Sequence, residues 1–496
     1  MNRSNQLLIG LCLLATATAL PAQTTMEARV GPEQIEAAAR PVELPPYDVL
    51  LQSYGPFVDQ TDPTGWAMKV RSVTSGDFKF WRGTKDLFYH WSQTNCADWM
   101  QQQQAMVPVH GDLHPGNIGT YFTGNVSTLA FGMIDFDDAS VLPFQLELLG
   151  GMVTYELIAG EQKFELTDAD RQKLVDTICD TYFAALADDR VLGEVLAGNP
   201  VVSKMLGRLA KQDHAKELDT FTVDGKFRPY AGKPGKPRDL LKPIDDCKPQ
   251  IAAALSQAML DAPQFGAVVK YNTAAEFEKA IKGVVLRTRI DSSGSQGVEK
   301  IFVLIDRPIV GMDHDVIFYL KQQLPSAAMR VGLIENGLPG PDVSPGKRTF
   351  QLMRQMNMPL PLFSSFADIA GKSYWVSIKE PWTDALDSGD VKDVGSMLEQ
   401  ARLWATVAAR SHSGSNSGSN SGSNGGSHGD SNGGGNPKLD KANFDTPELR
   451  RQLLERSLAY AAYSRGAFKS FVNDPRTKDQ IKKANAEIER VAGKPG

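Results

Sequence analysis

The feature that most constrains the fold is a polar loop enclosed by two apolar runs. The first run is Val107-Pro108-Val109, and the second, residues 129–134, ends on Asp135. Short apolar runs bounded by polar, glycine-containing segments predict buried strands. We therefore expect residues 106–136 to be rich in β-structure, with the loop at a strand end. The loop reads His110-Gly111-Asp112-Leu113-His114-Pro115-Gly116-Asn117.

The spacing of polar side chains in this loop suits phosphoryl transfer. That reaction needs a carboxylate that orients or deprotonates the acceptor hydroxyl, and oxygen ligands that hold Mg²⁺ against the phosphates. Asp112 and Asn117 are close enough in sequence to lie on the same side of one tight loop. We predict Asp112 as the catalytic base, and Asn117 and Asp135 as ligands of Mg²⁺.

A second β-rich block follows helical residues 250–282. Its predicted strands are residues 284–290, 298–305 and 316–320, with a glycine-containing turn at 291–297. Lys321 directly follows the last strand. A glycine turn between two strands, followed by a strand that bears a lysine, is the arrangement that holds nucleotide phosphates in kinases. The predicted nucleotide-binding residues are Gly294, Ser295, Gly297 and Lys321.

These motifs resemble those of known families. Residues 110–117 resemble the catalytic loop of aminoglycoside and choline phosphotransferases. More of the chain, about residues 68–414, resembles an uncharacterised bacterial family, the domain of unknown function numbered twenty-two fifty-two, which is grouped with protein-kinase-like folds. The matching segments besides the loop are Phe80-Trp81-Arg82-Gly83, Ile134-Asp135-Phe136-Asp137, Gly294-Ser295-Gln296-Gly297, Tyr319-Leu320-Lys321 and Ala408-Ala409-Arg410-Ser411-His412-Ser413-Gly414.

The resemblance implies an α+β, protein-kinase-like fold with two lobes and a helical C-terminal part. In ordinary kinases the glycine turn and its lysine precede the catalytic loop. Here they follow it, so we hypothesise a circularly permuted order. The implied function is a phosphotransferase that uses Mg²⁺ and ATP on a small-molecule or protein substrate.

Two other functions stay open. Gln322 and Gln351 stand where the family pattern places glutamates, one of which could pair with the lysine. Because these glutamates are missing, a non-catalytic, kinase-like binding protein of the envelope is one alternative. Imidazoles favour zinc-like ions, so a metal-dependent hydrolase that uses His110, Asp112 and His114 is the other.

Each motif also has a purely structural interpretation. The loop could be a polar turn, residues 294–297 an ordinary hairpin, and Lys321 a solvated lysine at a strand end. His110 is more typical of a hydrogen-bonded structural residue than of a catalyst. Arg82 could contact a phosphate, although pairing with a buried carboxylate is the interpretation we favour.

The N-terminus is typical of a secretory signal peptide. Arg3 precedes an apolar run at residues 7–14 and small residues at 15–22. Cleavage is predicted near Ala22, which makes the protein periplasmic or secreted. No later apolar run is long enough to cross a bilayer.

Charge and cysteine content narrow the partners further. The formal net charge of −5 argues against nucleic acid as the main partner. Cys96, Cys179 and Cys247 lie far apart and match no metal-ligand spacing, so one disulfide or none is expected.

Composition sets the remaining boundaries. The predicted parts are a signal peptide at 1–22, an irregular, proline-rich arm at 23–65, a largely helical lobe with the catalytic loop at 66–282, a β-rich region with the glycine turn and lysine at 283–394, a helix at 395–410, a Ser/Gly/Asn linker at 411–436 and C-terminal helices at 437–496. Within the helical lobe, basic residues 222–250 are expected to form a surface loop.

Overall fold

The structure is a computed structural model of the chain. It describes residues 44–123, 129–233, 236–262, 268–290, 295–334, 343–356, 359–361, 363–413, 439 and 441–492. The predicted signal peptide, Gly294 and residues 414–436 of the predicted linker lie outside the described residues.

Helices account for most of the described chain. They are α1 (Pro46–Ser53), α2 (Met68–Ser72), α3 (Asp77–Gly83), α4 (Lys85–Asn95), α5 (Ala97–Met100), α6 (Phe144–Glu161), α7 (Asp168–Ala187), α8 (Arg190–Leu196), α9 (Pro200–Leu209), α10 (His214–Phe221), α11 (Lys248–Asp261), α12 (Ala274–Ala280), α13 (Ala327–Arg330), α14 (Pro345–Gln355), α15 (Val394–Ser413), α16 (Lys441–Phe444), α17 (Pro447–Asn473) and α18 (Pro475–Ala492).

The strands pair antiparallel throughout the described ladders, which gives the α+β class that the sequence predicts. They are β1 (Met106–Val109), β2 (Ile118–Phe122), β3 (Leu129–Met133), β4 (Ser140–Pro143), β5 (Thr222–Val223), β6 (Lys226–Phe227), β7 (Tyr230–Lys233), β8 (Lys236–Pro243), β9 (Ile281–Arg289), β10 (Lys300–Ile305), β11 (Val316–Gln323), β12 (Ser365–Ile369), β13 (Lys372–Ile378) and β14 (Asp384–Ala385).

One seven-stranded sheet forms the β-rich part, in the order β12-β13-β11-β10-β9-β8-β7. Its central strand β10 is buried at every position. A continuous apolar run of this kind is typical of a strand covered on both faces. Val303 and Phe318 belong to the core on one face, with α11, α12 and α14, whereas Phe302 packs against Phe221 of α10 on the other.

A separate helical core supports the polar loop. Helices α6, α7, α15 and α17 contribute most of it, and all but three residues of α6 are buried. A helix that is apolar on every side must be enclosed by others. Within the described residues, no helix has the length and apolar character needed to span a membrane.

Three segments differ from the sequence predictions. Residues 222–250 are not only a surface loop, because β7 and β8 extend the large sheet beside β9. Two buried side chains hold β8 in this sheet. Leu241 is buried in the sheet core, and Asp239 forms a buried ion pair with Arg287 at 2.8 Å. The β-rich region therefore begins well before residue 283.

The described part of the predicted irregular arm contains helix α1, because Tyr47 stacks on Phe471 of α17 and Leu50 is buried in the same core. Helix α15 extends three residues beyond 410, where His412 is buried, so the predicted linker begins later than expected. The cysteines among the described residues, Cys96, Cys179 and Cys247, are unpaired.

Candidate functional site

The polar loop joins β1 to β2 along one wall of a cleft. Gly111 has a φ of +80°, and a Cβ there would lie 2.1 Å from the carbonyl oxygen of Asp138, so only glycine fits. Asn117 donates its Nδ2–H to the Asp112 carbonyl oxygen at 2.9 Å. Because the nitrogen is used within the loop, the Oδ1 atom of Asn117 is the one that could bind a metal.

Glu147 in the first turn of α6 supports the loop from behind. Its Oε2 accepts a hydrogen bond from the His110 N–H at 3.0 Å, and its Oε1 accepts one from the Gly111 N–H at 3.1 Å. His412 of α15 lies 3.0 Å from the same Oε2, and the Tyr182 hydroxyl lies 2.7 Å from the other imidazole nitrogen. Burial would raise the pKa of Glu147, but these hydrogen bonds lower it, so the buried carboxylate stays charged.

His110 has a structural environment. Its Nε2 lies 2.9 Å from the Ile134 carbonyl oxygen, and its Nδ1 accepts a hydrogen bond from the Asp112 N–H at 3.3 Å. Both ring nitrogens are therefore engaged with the backbone. This arrangement leaves neither nitrogen of His110 available as a metal ligand.

Asp112 faces the cleft and pairs with Lys85, the first residue of α4. The Lys85 Nζ lies 3.0 Å from the Asp112 Oδ1 and 3.1 Å from the centroid of the Trp81 ring. Burial raises the pKa of Asp112 to about 6, although Lys85 opposes the shift. Burial also lowers the pKa of Lys85 to about 8. A carboxyl group with a pKa near neutrality is suited to accept a proton from an acceptor hydroxyl.

Asp135 follows β3 and meets the lysine predicted from the second β-rich block. Its backbone has a φ of +68°, a conformation that Asp tolerates better than most residues. Lys321 donates to Asp135 Oδ1 and lies 2.5 Å from Asp137 Oδ2. Burial alone would lower the pKa of Lys321, but the two carboxylates raise it well above its usual range. Lys321 thus holds together two carboxylates that would otherwise repel each other.

Asp138 continues the acidic segment and ties it to α13. Its Oδ1 accepts a hydrogen bond from the Ala327 N–H at 2.7 Å and lies 3.7 Å from Arg330. Arg330 also forms a bidentate pair with Asp86 of α4, at 2.8 and 2.9 Å. The pair joins the sheet side of the cleft to the helical side, since α13 follows β11 and α4 precedes the loop.

The described part of the glycine turn closes over the same cleft. The Ser295 carbonyl oxygen accepts a hydrogen bond from Lys300 at 2.7 Å, and the Gln296 carbonyl oxygen accepts one from the Tyr54 hydroxyl at 2.8 Å. Gly297 has a φ of +84°, and a Cβ there would lie 2.9 Å from Val58. The turn is therefore held from outside by the segment that follows α1.

Arg82 does not make the carboxylate pair that the sequence suggested. No acidic side chain of a described residue forms an ion pair with it. Its Nε–H instead donates to the Nε2 of His114 at 2.9 Å. Burial lowers the pKa of Arg82, because its charge is only partly compensated there.

The cleft lined by these groups has about 580 Å³ of space free of protein atoms, part of which is open solvent. Its lining carries nine charged side chains, four cationic and five acidic. The cations are Lys69, Arg82, Lys85 and Arg330, and the acids are Asp86, Asp112, Asp135, Asp137 and Asp138. Lys321 joins this group through its ion pairs with Asp135 and Asp137. Among the described residues, no group of three or more His, Cys, Asp or Glu side chains has the arrangement of a metal site.

Several residues of the site escaped the sequence predictions. Lys85 and Asp86 lie at the start of α4, whose apolar periodicity gives no sign of a functional role for them. Glu147 stands out in the sequence only as one polar residue in a hydrophobic helix. The only signal for Glu147 was a charge within an otherwise buried segment, which is costly unless it is paired. Asp137 appeared in the sequence only as the last residue of the segment Ile134-Asp135-Phe136-Asp137, without a role of its own.

A comparison with protein families gives a match over most of the chain. The model described as "Uncharacterized protein conserved in bacteria (DUF2252)" matches residues 61–226 and 273–474. The two matched ranges include the loop, the acidic segment after β3, Lys321 and His412. No curated protein and no solved structure matches the chain.

Proposed function

Because the chain belongs to the uncharacterised bacterial family DUF2252, whose description names no activity, we propose its function from the cleft: it is a kinase-like phosphotransferase that uses Mg²⁺ and a nucleoside triphosphate. The observation that most directly supports this proposal is the contact of Lys321 with Asp135 and Asp137. Two motifs that lie far apart in the chain, a strand lysine and an acidic segment, meet in one cleft beside Asp112.

Each group has a role in this proposal. Asp135 and the Asn117 oxygen would hold Mg²⁺, which favours hard oxygen ligands. The metal would supply positive charge at the phosphates. Lys321 would bind the phosphate chain once the carboxylates that now pair with it bind the metal instead. Ser295 and Gly297 of the turn would lie over the phosphates, whereas Gly294, the other residue predicted there, lies outside the described residues.

Asp112 is the proposed base. The acceptor hydroxyl oxygen would form a bond to the terminal phosphorus, and the bond from that phosphorus to the bridging oxygen of the diphosphate would break. The hydroxyl proton would pass to Asp112, and the electron pair of the broken bond would leave with the diphosphate. No oxidant or reductant is needed.

The proposal includes a kinase-like, circularly permuted fold. Strands β9, β10 and β11 have the order of a strand, a glycine turn, a second strand and a strand with lysine, and they follow the loop in sequence. It also includes export to the periplasm or beyond, which rests on the N-terminal sequence alone. N-terminal sequencing of protein from its host should begin near Gln23.

A nucleotide titration tests the central claim. Purified protein is heated with ADP or with a non-hydrolysable triphosphate analogue, each with and without Mg²⁺. A ligand that binds only the native state raises the melting temperature, so we expect a shift that requires Mg²⁺. Absence of any shift at millimolar nucleotide would refute the proposal. A shift with no turnover against any acceptor, or with water, would favour the non-catalytic binding protein.

A further inference from the structure

Arg82 is a cation in the cleft without an acidic partner among the described residues. The other arginine that lines this cleft, Arg330, forms a bidentate pair with Asp86. Among the side chains that the structure describes, Arg82 donates only to the neutral Nε2 of His114, at 2.9 Å from its Nε. A partly buried guanidinium without a counterion is costly, and it is therefore suited to an anion that arrives with a ligand.

His114 fixes the direction of this guanidinium. Its Nε2 accepts from Arg82, so the ring proton is on Nδ1 and the imidazole is neutral. Burial, followed by the charges of Arg82 and Lys85, holds the pKa of His114 well below its usual range. The Phe78 ring lies 5.6 Å from Arg82 and 6.0 Å from His114, and packs against both side chains. The Nε–H is thus used for orientation, which leaves the terminal nitrogens to bind a ligand.

The position of Arg82 indicates which anion it would meet. It lines the same cleft as Asp112, Asp135 and Ser295. Asp112 and Asp135 are the two carboxylates whose charges act most strongly on it. In the proposed reaction, the phosphoryl group in transfer lies between the base and the metal ligand, and thus within this part of the cleft.

We propose that Arg82 binds the terminal phosphoryl group of a nucleoside triphosphate, and that His114 is the residue that positions it. This inference rests on the proposed function, and it adds the donor class: a triphosphate should be preferred over a diphosphate. Guanidinium groups form paired hydrogen bonds with phosphoryl oxygens, which gives both strength and direction.

The test compares Arg82→Gln with the wild type for a non-hydrolysable triphosphate analogue and for ADP, both with Mg²⁺, by calorimetry. Arg82→Gln removes a charged hydrogen-bond donor, so the triphosphate analogue should bind roughly 10- to 100-fold more weakly, which is about 1.4–2.7 kcal/mol at 1.36 kcal/mol for each factor of ten. The affinity for ADP should change less than about twofold, since ADP lacks the terminal phosphoryl group. The matched control is Arg71→Gln, which should bind both ligands as the wild type does. Arg71 lies on α2 and donates to the side chain of Asn485 rather than to His114.

His114 variants separate orientation from packing. His114→Leu removes the hydrogen-bond acceptor of Arg82 and should lower the affinity for the triphosphate analogue but not that for ADP. His114→Gln keeps an acceptor oxygen and should restore part of the affinity for the triphosphate analogue. If Arg82→Gln binds both nucleotides as the wild type does, or loses both equally, this inference is wrong while the proposed function stands. If the wild type binds neither nucleotide, the proposed function fails and this inference fails with it.

Discussion

Lys321 and Asp135, which are 186 positions apart in the chain, form an ion pair inside the cleft. Lys321 is almost fully buried, and it also contacts Asp137. A metal that binds Asp135 must compete with this lysine, so metal and lysine are expected to exchange places at the carboxylate. This competition explains why Mg²⁺ and nucleotide should bind together, since the phosphates can take the lysine as the metal takes the carboxylate.

The first prediction is that Asp135→Asn removes most of the Mg²⁺-dependent shift in melting temperature with nucleotide. The substitution deletes a ligand charge but keeps a side chain of similar size. Lys321→Met should weaken nucleotide binding as well. It should also destabilise the fold by about 1–3 kcal/mol, because it removes the charged hydrogen bonds of Lys321 and leaves two neighbouring carboxylates, one exposed and one partly buried, to repel each other.

Thermal shift at several nucleotide concentrations measures the ligand effect separately from the stability effect. Asp306→Asn is the control, since Asp306 pairs with Lys282 at the protein surface, away from the cleft. A normal shift in Lys321→Met together with a lost shift in Asp135→Asn would retain the metal site and exclude the lysine from phosphate binding.

The second prediction concerns the proposed base. Asp112→Asn should retain the nucleotide shift and abolish turnover, measured as phosphoryl transfer or nucleotide hydrolysis. In the wild type, turnover should rise with pH through about 6, where Asp112 loses its proton. Lys85→Met should move this rise to higher pH, because the burial that raises the pKa of Asp112 is then no longer opposed by the ammonium group. An unchanged pH profile in Lys85→Met would contradict the assignment of Asp112 as the titrating base.

The third prediction concerns the support behind the loop. Glu147→Gln should destabilise the fold by about 1–3 kcal/mol, since an amide cannot accept from all three donors now facing the carboxylate. Hydrogen exchange at the His110 and Gly111 amides should accelerate. Glu156→Gln is the control on the same helix, because Glu156 pairs with Arg171 at 2.9 Å and does not contact the loop. Equal acceleration in both variants would show that Glu147 acts only through global stability.

The fourth prediction is a pH dependence of stability. Glu380 is buried, and its Oε1 accepts hydrogen bonds from the Phe122 N–H and the Thr383 hydroxyl. Burial nevertheless raises its pKa from 4.5 to about 7. The native state therefore binds the proton more tightly than the unfolded state, and stability should fall as pH rises from about 4.5 to 7.

The full contribution of this proton is about 3 kcal/mol at 1.36 kcal/mol for each pKa unit. Glu380→Gln, which cannot ionise, should flatten the curve of unfolding free energy against pH in that range. Chemical denaturation at pH 5 and pH 8 measures it. A wild-type protein that becomes more stable over this interval while Glu380→Gln does not would reverse the predicted sign.

The fifth prediction compares two neighbouring glycines of α6. A Cβ at Gly151 would lie 2.5 Å from the Trp404 ring, whereas one at Gly150 would lie 3.9 Å from its nearest neighbour, Trp81. Gly151→Ala should therefore destabilise the fold by about 1–3 kcal/mol through overpacking. Gly150→Ala should be neutral or stabilising by up to about 1 kcal/mol, because alanine favours helix.

Trp404 also donates its indole N–H to the Leu113 carbonyl oxygen at 2.8 Å, within the loop. Gly151→Ala should for that reason reduce nucleotide-dependent turnover more than its loss of stability explains. Turnover measured well below the melting temperature separates these two effects. Full activity of the folded variant would mean that Trp404 supports the loop only through the core.

The sequence determined the local elements of this protein. Apolar runs predicted β1, β3, β9, β10 and β11, because this pattern depends on neighbouring residues alone. The order of polar residues in the loop and after β3 identified Asp112, Asn117 and Asp135 as candidates. The predicted loop at residues 222–250 was wrong in part, since its strands form only against the exposed edge of β9.

Only the tertiary structure decided which charges meet. Lys85 reaches Asp112, Lys321 reaches Asp135 and Glu147 reaches His412, in each case across elements that are far apart in sequence. Burial makes an unpaired charge costly, and in these three pairs the fold brings a partner to the buried group. No local pattern encodes the identity of that partner, because it depends on how the sheet and the helices pack. Packing also determines the hydrogen-bond acceptor of Arg82, because it places His114 rather than a carboxylate beside this arginine.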